Sequence, residues 1–391
     1  MDKFEELLTR GVANIIPNKE ELKKVLASGK KLNVYLGIDP TTTKIHLGHA
    51  VVLRKLEEFA KLGHNVTFLI GDFTALVGDT SDKDSERPIL TSEEIEENFK
   101  TYKKQAEKIL DFSKIKVLKN SEWLSKLTYA EVFKLKQQFS LNDFISRELI
   151  KKRLDEGKSV RLDETEYPIM QGYDSYFLDT DLQIGGTDQT FNMQAGRTLQ
   201  KRLRNKESYI LATEFLMGTD GRKMSKSWGN AIWLEDNPNN MFAKIMAIND
   251  DLIDQYFVLV TNETLEKIEK IKLGKKPMDV KKELASIIVT ELHSEKNAED
   301  AKQNFEKTVQ KQELPEDIPV YRYTGNQPLE IVDLLVKTKL ANSRSQAKRL
   351  IEQGGVSIDG EVIKNLNQNI ILDKEKLLRV GRNNFLRVVS K

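Results

Sequence analysis

The chain has 391 residues, enough for two or three domains, and carries a net charge of only +2 with no cysteine. Zero cysteines exclude disulfides, a cysteine zinc site and a thiol nucleophile, and they fit a reducing cytoplasm. No stretch approaches the roughly 20 apolar residues of a membrane helix. The acidic, amphipathic start from Met1 to Leu8 is unlike a signal or transit peptide, so a cytoplasmic protein without a membrane partner is expected.

In chain order, Leu32, Val34, Leu36 and Ile38 alternate with Asn33, Tyr35 and Gly37, the period of a strand, and Val52, Leu56, Phe59 and Ala60 then recur at helical spacing. Val66 to Ile70 and Ile115 to Leu118 read as further strands with helical patterns between them. Alternation of this kind predicts an α/β fold, a parallel sheet covered by helices, over residues 1–220. Within it, roughly 75–165 is rich in helix and charge. Thr219 to Asn230 reads as a mobile loop, and from about 231 to 310 strand signals give way to Lys/Glu-rich helix, which sets a second region at 221–312. Residues 313–328, with Pro315, Pro319 and Pro328, form the expected linker. The tail, 329–391, holds 12 Lys+Arg against 7 Asp+Glu, leaving 50 against 53 for everything before it, so the basic charge is concentrated at this end. Ile331, Leu334 and Leu335 mark one helix there, Ser343 to Ile351 a second, and Gly354 to Gly360 a turn into a short hairpin.

Two strings carry the chemistry. His46-Leu47-Gly48-His49 sits where the first strand turns into a helix, and a helix N-terminus offers unpaired N–H groups and partial positive charge to a phosphate. His46 and His49 share one face of the first turn, each able to donate one hydrogen bond while neutral, and Gly48 removes a side chain where a ligand would press on the backbone. Taken alone, the histidines read first as capping or surface residues. Lys223-Met224-Ser225-Lys226-Ser227 lies in the loop, where two lysines can close over a polyanion and neutralise charge on a leaving pyrophosphate. An isolated Lys-x-x-Lys reads first as a solvated basic loop, and its place downstream of the histidine string reverses that preference. The two in this order describe a cradle for the triphosphate of ATP.

The two strings resemble the signature sequences of class I aminoacyl-tRNA synthetases, and the stretches between them resemble the bacterial tyrosyl-tRNA synthetases. Those stretches are Tyr35 to Thr41, Gly71-Asp72, Gly78-Asp79, Tyr167 to Asp174 and Gly185 to Gln189. The resemblance covers almost the whole chain. It implies a Rossmann-like catalytic domain with a connective insertion at about 75–165, an α-helical anticodon-binding domain, and a small α+β RNA-binding domain at 329–391. The implied reaction joins tyrosine to ATP as tyrosyl-adenylate, with Mg2+ carried by the phosphates, and then transfers tyrosine to the 3′ end of tRNA(Tyr). No metal site on the protein is expected, and a homodimer is.

Site roles follow from the resemblance position by position. His46, His49 and Thr41 would contact the ATP phosphates, with Lys223, Lys226 and Ser227 closing from the loop. Asp39, Gly186 and Asp188 would hold the ribose and the substrate ammonium region, Gly48 would leave room for ATP, and Leu216 would present its backbone to adenine. Tyr35 and Asp174 would bracket the phenolic hydroxyl of tyrosine. Asp79, Tyr167 and Gln171 would take its ammonium, and Gln189 would lie near its carboxylate. Singly, Asp174 could cap a helix and Tyr167 could be packing. In the tail, Arg344 and Lys348, with Lys337, could line one face of paired helices at phosphate spacing. Three departures from the family pattern remain: Leu47 for isoleucine, Ile38 for an aromatic, and Thr80-Ser81-Asp82 where Pro-Ser-Gly is common. Two rival functions are a tryptophanyl-tRNA synthetase, which has little use for a hydroxyl-binding pair, and a non-catalytic RNA-binding paralogue, against which the intact histidines and lysines argue. A small nucleotidyltransferase is disfavoured by the second string and the chain length.

Overall fold

The computed structural model describes residues 3–41, 43–79, 90–310, 318–325, 328–381 and 384–390. The loop at Thr80-Ser81-Asp82 lies outside them. Six strands form the first sheet: β1 (Val12–Ile16), β2 (Asn33–Ile38), β3 (Asn65–Ile70), β4 (Ile115–Lys119), β5 (Leu182–Gly186) and β6 (Tyr209–Thr213), in the order β1-β6-β5-β2-β3-β4. All pair in parallel except β1, which runs antiparallel to β6 with Ile15 opposite Leu211. That edge strand departs from the all-parallel expectation. Only Ile15 of β1 is buried, so its sequence carries little strand periodicity.

The chain runs outward from β2 to β3 and β4 on one side and returns to β5 and β6 on the other. In such sheets a crevice opens at the carboxyl ends of the strands where the order reverses, here between β2 and β5. The helix Leu47–Lys61 packs over this point. Leu47, Ala50, Leu53, Leu56 and Phe59 are fully buried at helical spacing, each large side chain contributing about 1.5–3 kcal/mol. Gly63, at φ +83°, provides the left-handed residue that stops it.

Contacts divide the chain into two compact units, residues 1–236 with 247–292, and residues 237–246 with 293–391. These cut across the ranges read from composition. The helices Ile253–Val260 and Pro277–Leu292 belong with the sheet, where Arg10 donates to the carbonyls of Val258 (2.9 Å), Thr261 (2.8 Å) and Glu263 (2.6 Å) at the end of the first. The 75–165 segment also contains β4, which is part of the main sheet, so the insertion is not a purely helical excursion from it.

In the second unit, helix Pro238–Met246 packs on helix Glu295–Phe305, with the Phe242 and Phe305 rings 5.6 Å apart. Its sheet joins β7 (Val320–Tyr323), β9 (Val356–Ile358), β10 (Glu361–Val362), β12 (Lys376–Val380) and β13 (Asn384–Ser390), while β8 (Leu329–Glu330) pairs with β11 (Asn369–Ile370). Helices Ile331–Lys337 and Arg344–Glu352 cover it, burying Leu334, Leu335, Ala347 and Ile351. β7 lies inside the stretch expected to be linker. It pairs with β13, so the small domain begins by Ile318, which is buried. Part of that stretch, 313–317, lies outside the described residues.

Candidate active site

The cleft at the reversal point has a volume of about 430 Å³ and is built from the ends of β2, β5 and β6 and the start of helix Leu47–Lys61. Tyr35, Asp39, Thr41, His46, Gly48, His49, Asp79, Tyr167, Gln171, Asp174, Gly186, Asp188, Gln189, Leu216, Lys223 and Ser227 all line it. Lys226 does not, although its neighbours do.

Two polar groups make its floor. The Asp174 side chain is buried inside helix Tyr167–Phe177, not at its cap, and its two oxygens accept from Trp123 Nε1 (2.7 Å) and Asn120 Nδ2 (3.0 Å). Burial raises its pKa to about 8 despite both hydrogen bonds, which pull the other way. Tyr35 stands beside Gln183 across the β2–β5 register, and its hydroxyl donates to Gln183 Oε1 at 3.2 Å. Burial, with Asp174 adding negative charge, pushes the Tyr35 phenol well above its ordinary value.

A second polar cluster lies above. Asp39 accepts from Tyr167 Oη (2.8 Å) and Thr74 Oγ1 (2.7 Å), so Tyr167 is more than packing. A side chain at Gly71 would meet Asp39 Oδ1 at 2.0 Å, which ties that glycine to the carboxylate. Asp79 accepts from Gln189 Nε2 at 2.7 Å and from Asn192 Nδ2 at 3.4 Å.

The two signature strings meet because the chain after the loop returns to the helix start. Leu47 N–H donates to Ile232 O and Leu234 N–H to Ile45 O, both at 2.9 Å. His46 is the residue preceding the helix, and its ring stacks on His49 with centroids 3.8 Å apart. The His46 backbone N–H donates to His49 Nδ1 at 3.4 Å, which leaves the His49 ring proton on Nε2. His46 Nδ1 is buried with no hydrogen-bond partner among the described residues, and burial first, then His49 and Lys223, push its pKa down to about 2, so the ring is neutral. A Cβ on Gly48 would meet that ring at 2.9 Å. The glycine thus makes room for His46 itself, where the sequence suggested room for a ligand.

The loop is latched. Asn230, buried, accepts from Ser225 N–H (2.9 Å) and donates to Asp220 Oδ1 (2.7 Å) and Lys223 O (3.2 Å), and a Cβ on Gly218 would strike it at 2.5 Å. Lys223 Nζ pairs with Asp188 Oδ2 at 3.2 Å and sits 3.8 Å from the centre of the Phe215 ring. In the other unit Arg344 is held by Asp333 and Glu330, which offsets its charge, while Lys348 and its neighbour Arg349 are exposed. Among the described residues no group of three or more His, Cys, Asp or Glu is placed to hold a metal, and no helix is long and apolar enough to cross a membrane.

Gln183, Asn120, Trp123 and Asn230 were not read from the sequence. A lone glutamine inside Leu182-Gln183-Ile184 is a signal that could have found the first; the others have none at short range.

A parallel nucleotide-binding sheet with paired histidines at the helix start and a lysine loop brought against them defines the catalytic unit of a class I aminoacyl-tRNA synthetase. Residues 27–310 match the model of the tRNA synthetases class I (W and Y), and residues 331–370 match the S4 domain. The chain belongs to the class I (W and Y) synthetase family. It is 43% identical to the tyrosine–tRNA ligase of Thermotoga maritima over 98% of this chain and 96% of that one. It is 41% identical to that of Aquifex aeolicus, over 98% of each. Among solved structures it resembles the tyrosyl-tRNA synthetase of Archaeoglobus fulgidus complexed with L-tyrosine (26% identity, TM-score 0.59, covering 77% of this chain and all of that one). It shares the fold of a C-terminally truncated mitochondrial tyrosyl-tRNA synthetase of Coccidioides posadasii (22% identity, TM-score 0.65, covering 77% and 91%).

Proposed function

We propose that this protein activates tyrosine with ATP and transfers it to tRNA. The observation that carries the reading is the polar floor of the cleft, where Tyr35 and Asp174 face a pocket otherwise closed by Leu69 and other buried side chains. A phenolic hydroxyl satisfies such a pair. Phenylalanine brings no hydroxyl to the lone pairs that remain on Tyr35 and Asp174 and strips them of water, at about 1–3 kcal/mol.

In the first step a carboxylate oxygen of tyrosine attacks the α-phosphorus of ATP, the bond to the β-phosphate oxygen breaks, and pyrophosphate leaves. Asp79, Tyr167 and Gln171 hold the ammonium, with Gln189 near the carboxylate. His46, His49 and Thr41 bind the phosphates from the helix start; the His49 Nε2–H is one donor of the needed kind. Asp39, Gly186 and Asp188 take the ribose side, and Leu216 offers its backbone to adenine. Ribose at Asp188 displaces Lys223 from its ion pair and frees that ammonium, with Lys226 and Ser227, for the leaving pyrophosphate. Mg2+ arrives on the ATP phosphates. In the second step a hydroxyl of the terminal tRNA ribose attacks the acyl carbon and AMP leaves. Positioning and charge stabilisation supply both steps without a covalent enzyme intermediate.

The S4 domain contributes RNA contacts through Lys348, with Arg344 a weaker candidate because of its acidic partners. A homodimer is supported by exposed apolar side chains in the segment after β4, Tyr129 (71% exposed) and Leu141 (63%) among them, and mass in solution tests it. A cytoplasmic location fits the bacterial tyrosine–tRNA ligases that the chain matches over nearly its whole length. The deciding experiment is amino-acid-dependent exchange of pyrophosphate into ATP: tyrosine should support it and phenylalanine and tryptophan should not. Exchange with tryptophan, or with none of the three, sinks the reading.

A further inference from the structure

Trp228 follows the second signature string and lines the mouth of the cleft with 49% of its surface exposed. An indole left that open is not part of a core. It is nevertheless held: the Arg222 guanidinium lies 4.4 Å from the ring centre, covering it on one side. Arg222 is itself fixed by Asp220, whose carboxylate accepts from its Nε at 2.8 Å and from its backbone N–H at 3.1 Å. Asp220 in turn accepts from the buried Asn230 that latches the loop. The indole is therefore presented by a chain of contacts that ends in the loop's own anchor.

The charge arrangement separates this pair from the phosphate cradle. Asp220 offsets Arg222, so the pair offers a flat, polarised surface rather than a free cation. Such a surface binds a nucleobase through its π-face without reading its sequence. Two substrates of the reaction bring nucleobases into the cleft: ATP, whose adenine the reading above places at the buried Leu216, and the acyl acceptor, whose unpaired end has to pass the mouth for its terminal ribose to reach the adenylate inside.

We propose that Trp228, backed by Arg222, is a stacking platform for the unpaired bases at the 3′ end of the tRNA. The inference rests on the function proposed above. Unpaired RNA ends are recognised chiefly by stacking on aromatic and guanidinium planes. The platform holds the end while the ribose hydroxyl lies against the acyl carbon, and it takes no part in adenylate formation.

The test uses the full-length protein with Trp228→Ala and Trp228→Phe. Tyrosine-dependent pyrophosphate exchange should stay within about twofold for both variants, whereas the KM for tRNA in charging should rise roughly tenfold or more for alanine and return to within about threefold for phenylalanine. A tRNA lacking its unpaired 3′ nucleotides should inhibit the wild type and Trp228→Ala equally. Exchange that falls in parallel with charging would make Trp228 a support of the ATP loop and overturn the proposal. So would unchanged charging, or a truncated tRNA that still discriminates the two. If the wild type shows no tyrosine-dependent exchange, the underlying function fails instead.

Discussion

Replacing Trp123 by phenylalanine removes one hydrogen bond from the floor of the tyrosine pocket and little else, because a phenyl ring can keep the stack on Phe177, now 4.5 Å away and 17° from parallel. The lost donor serves Asp174, whose carboxyl titrates at about 8. A hydrogen bond to a charged group is worth about 1.5–3 kcal/mol, and at about 1.4 kcal/mol per pH unit its loss moves that carboxyl up by roughly 1–2 units. Only the ionised form accepts the phenolic proton without giving one up, so tyrosine affinity in the wild type should rise with pH and level off above about 8. Near pH 7.5 a midpoint of 8 leaves about a quarter of the molecules ionised, and a midpoint 1.5 units higher leaves about one in a hundred. Apparent affinity should therefore fall about 25-fold at that pH, with the gap narrowing to about fourfold at pH 9. Equilibrium binding of tyrosine without ATP, followed from pH 6 to 9.5, measures this, with phenylalanine as the pH-insensitive control. A loss that stays constant across the range would show that Trp123 shapes the pocket without tuning Asp174.

Four other outcomes are expected. Asp174→Ala should raise the tyrosine KM by at least about 100-fold, since it also strands the Trp123 and Asn120 donors, while ATP affinity stays within about twofold; equal loss of both would refute its placement. Gly48→Ala should push the His46 ring out of line and lower the exchange rate by roughly tenfold or more with little change in thermal stability, and a normal rate would mean His46 does not act from this position. Ending the chain after Gln310 should spare exchange but weaken tRNA charging and reduce its salt dependence. Ending it at residue 328 instead strands β7 without β13 and should give an aggregating product, which light scattering would report.

The nucleotide half of the site was legible because its signals are local. A period-2 run into a helical run locates the start of helix Leu47–Lys61, and a turn followed by Lys223 to Ser227 locates the loop. The tyrosine half was readable only through resemblance. Tyr35 meets Gln183 through the register of β2 and β5, and Asp174 meets Trp123 and Asn120 from the turn after β4, partners 51 and 54 residues apart in sequence. The domain boundaries were less legible still. Residues 261–292 have the same Lys/Glu-rich helical composition as those that follow, and long-range contacts assign the helix Ile253–Val260 to the catalytic unit: carbonyls offered to Arg10, and Tyr256 Oη donating to Met217 O at 2.7 Å.

By itself, then, the order of residues determined the central strands, the start of the helix Leu47–Lys61, the lysine loop and the basic tail, since each depends on neighbours within a turn or a strand, whereas the edge strand β1 and the strand β7 did not show. Tertiary structure decided the charge state of Asp174, the hold of Asp188 on Lys223, the acidic partners of Arg344 and the presentation of Trp228. Burial and pairing set those properties, and both exist only once distant segments have closed around the group.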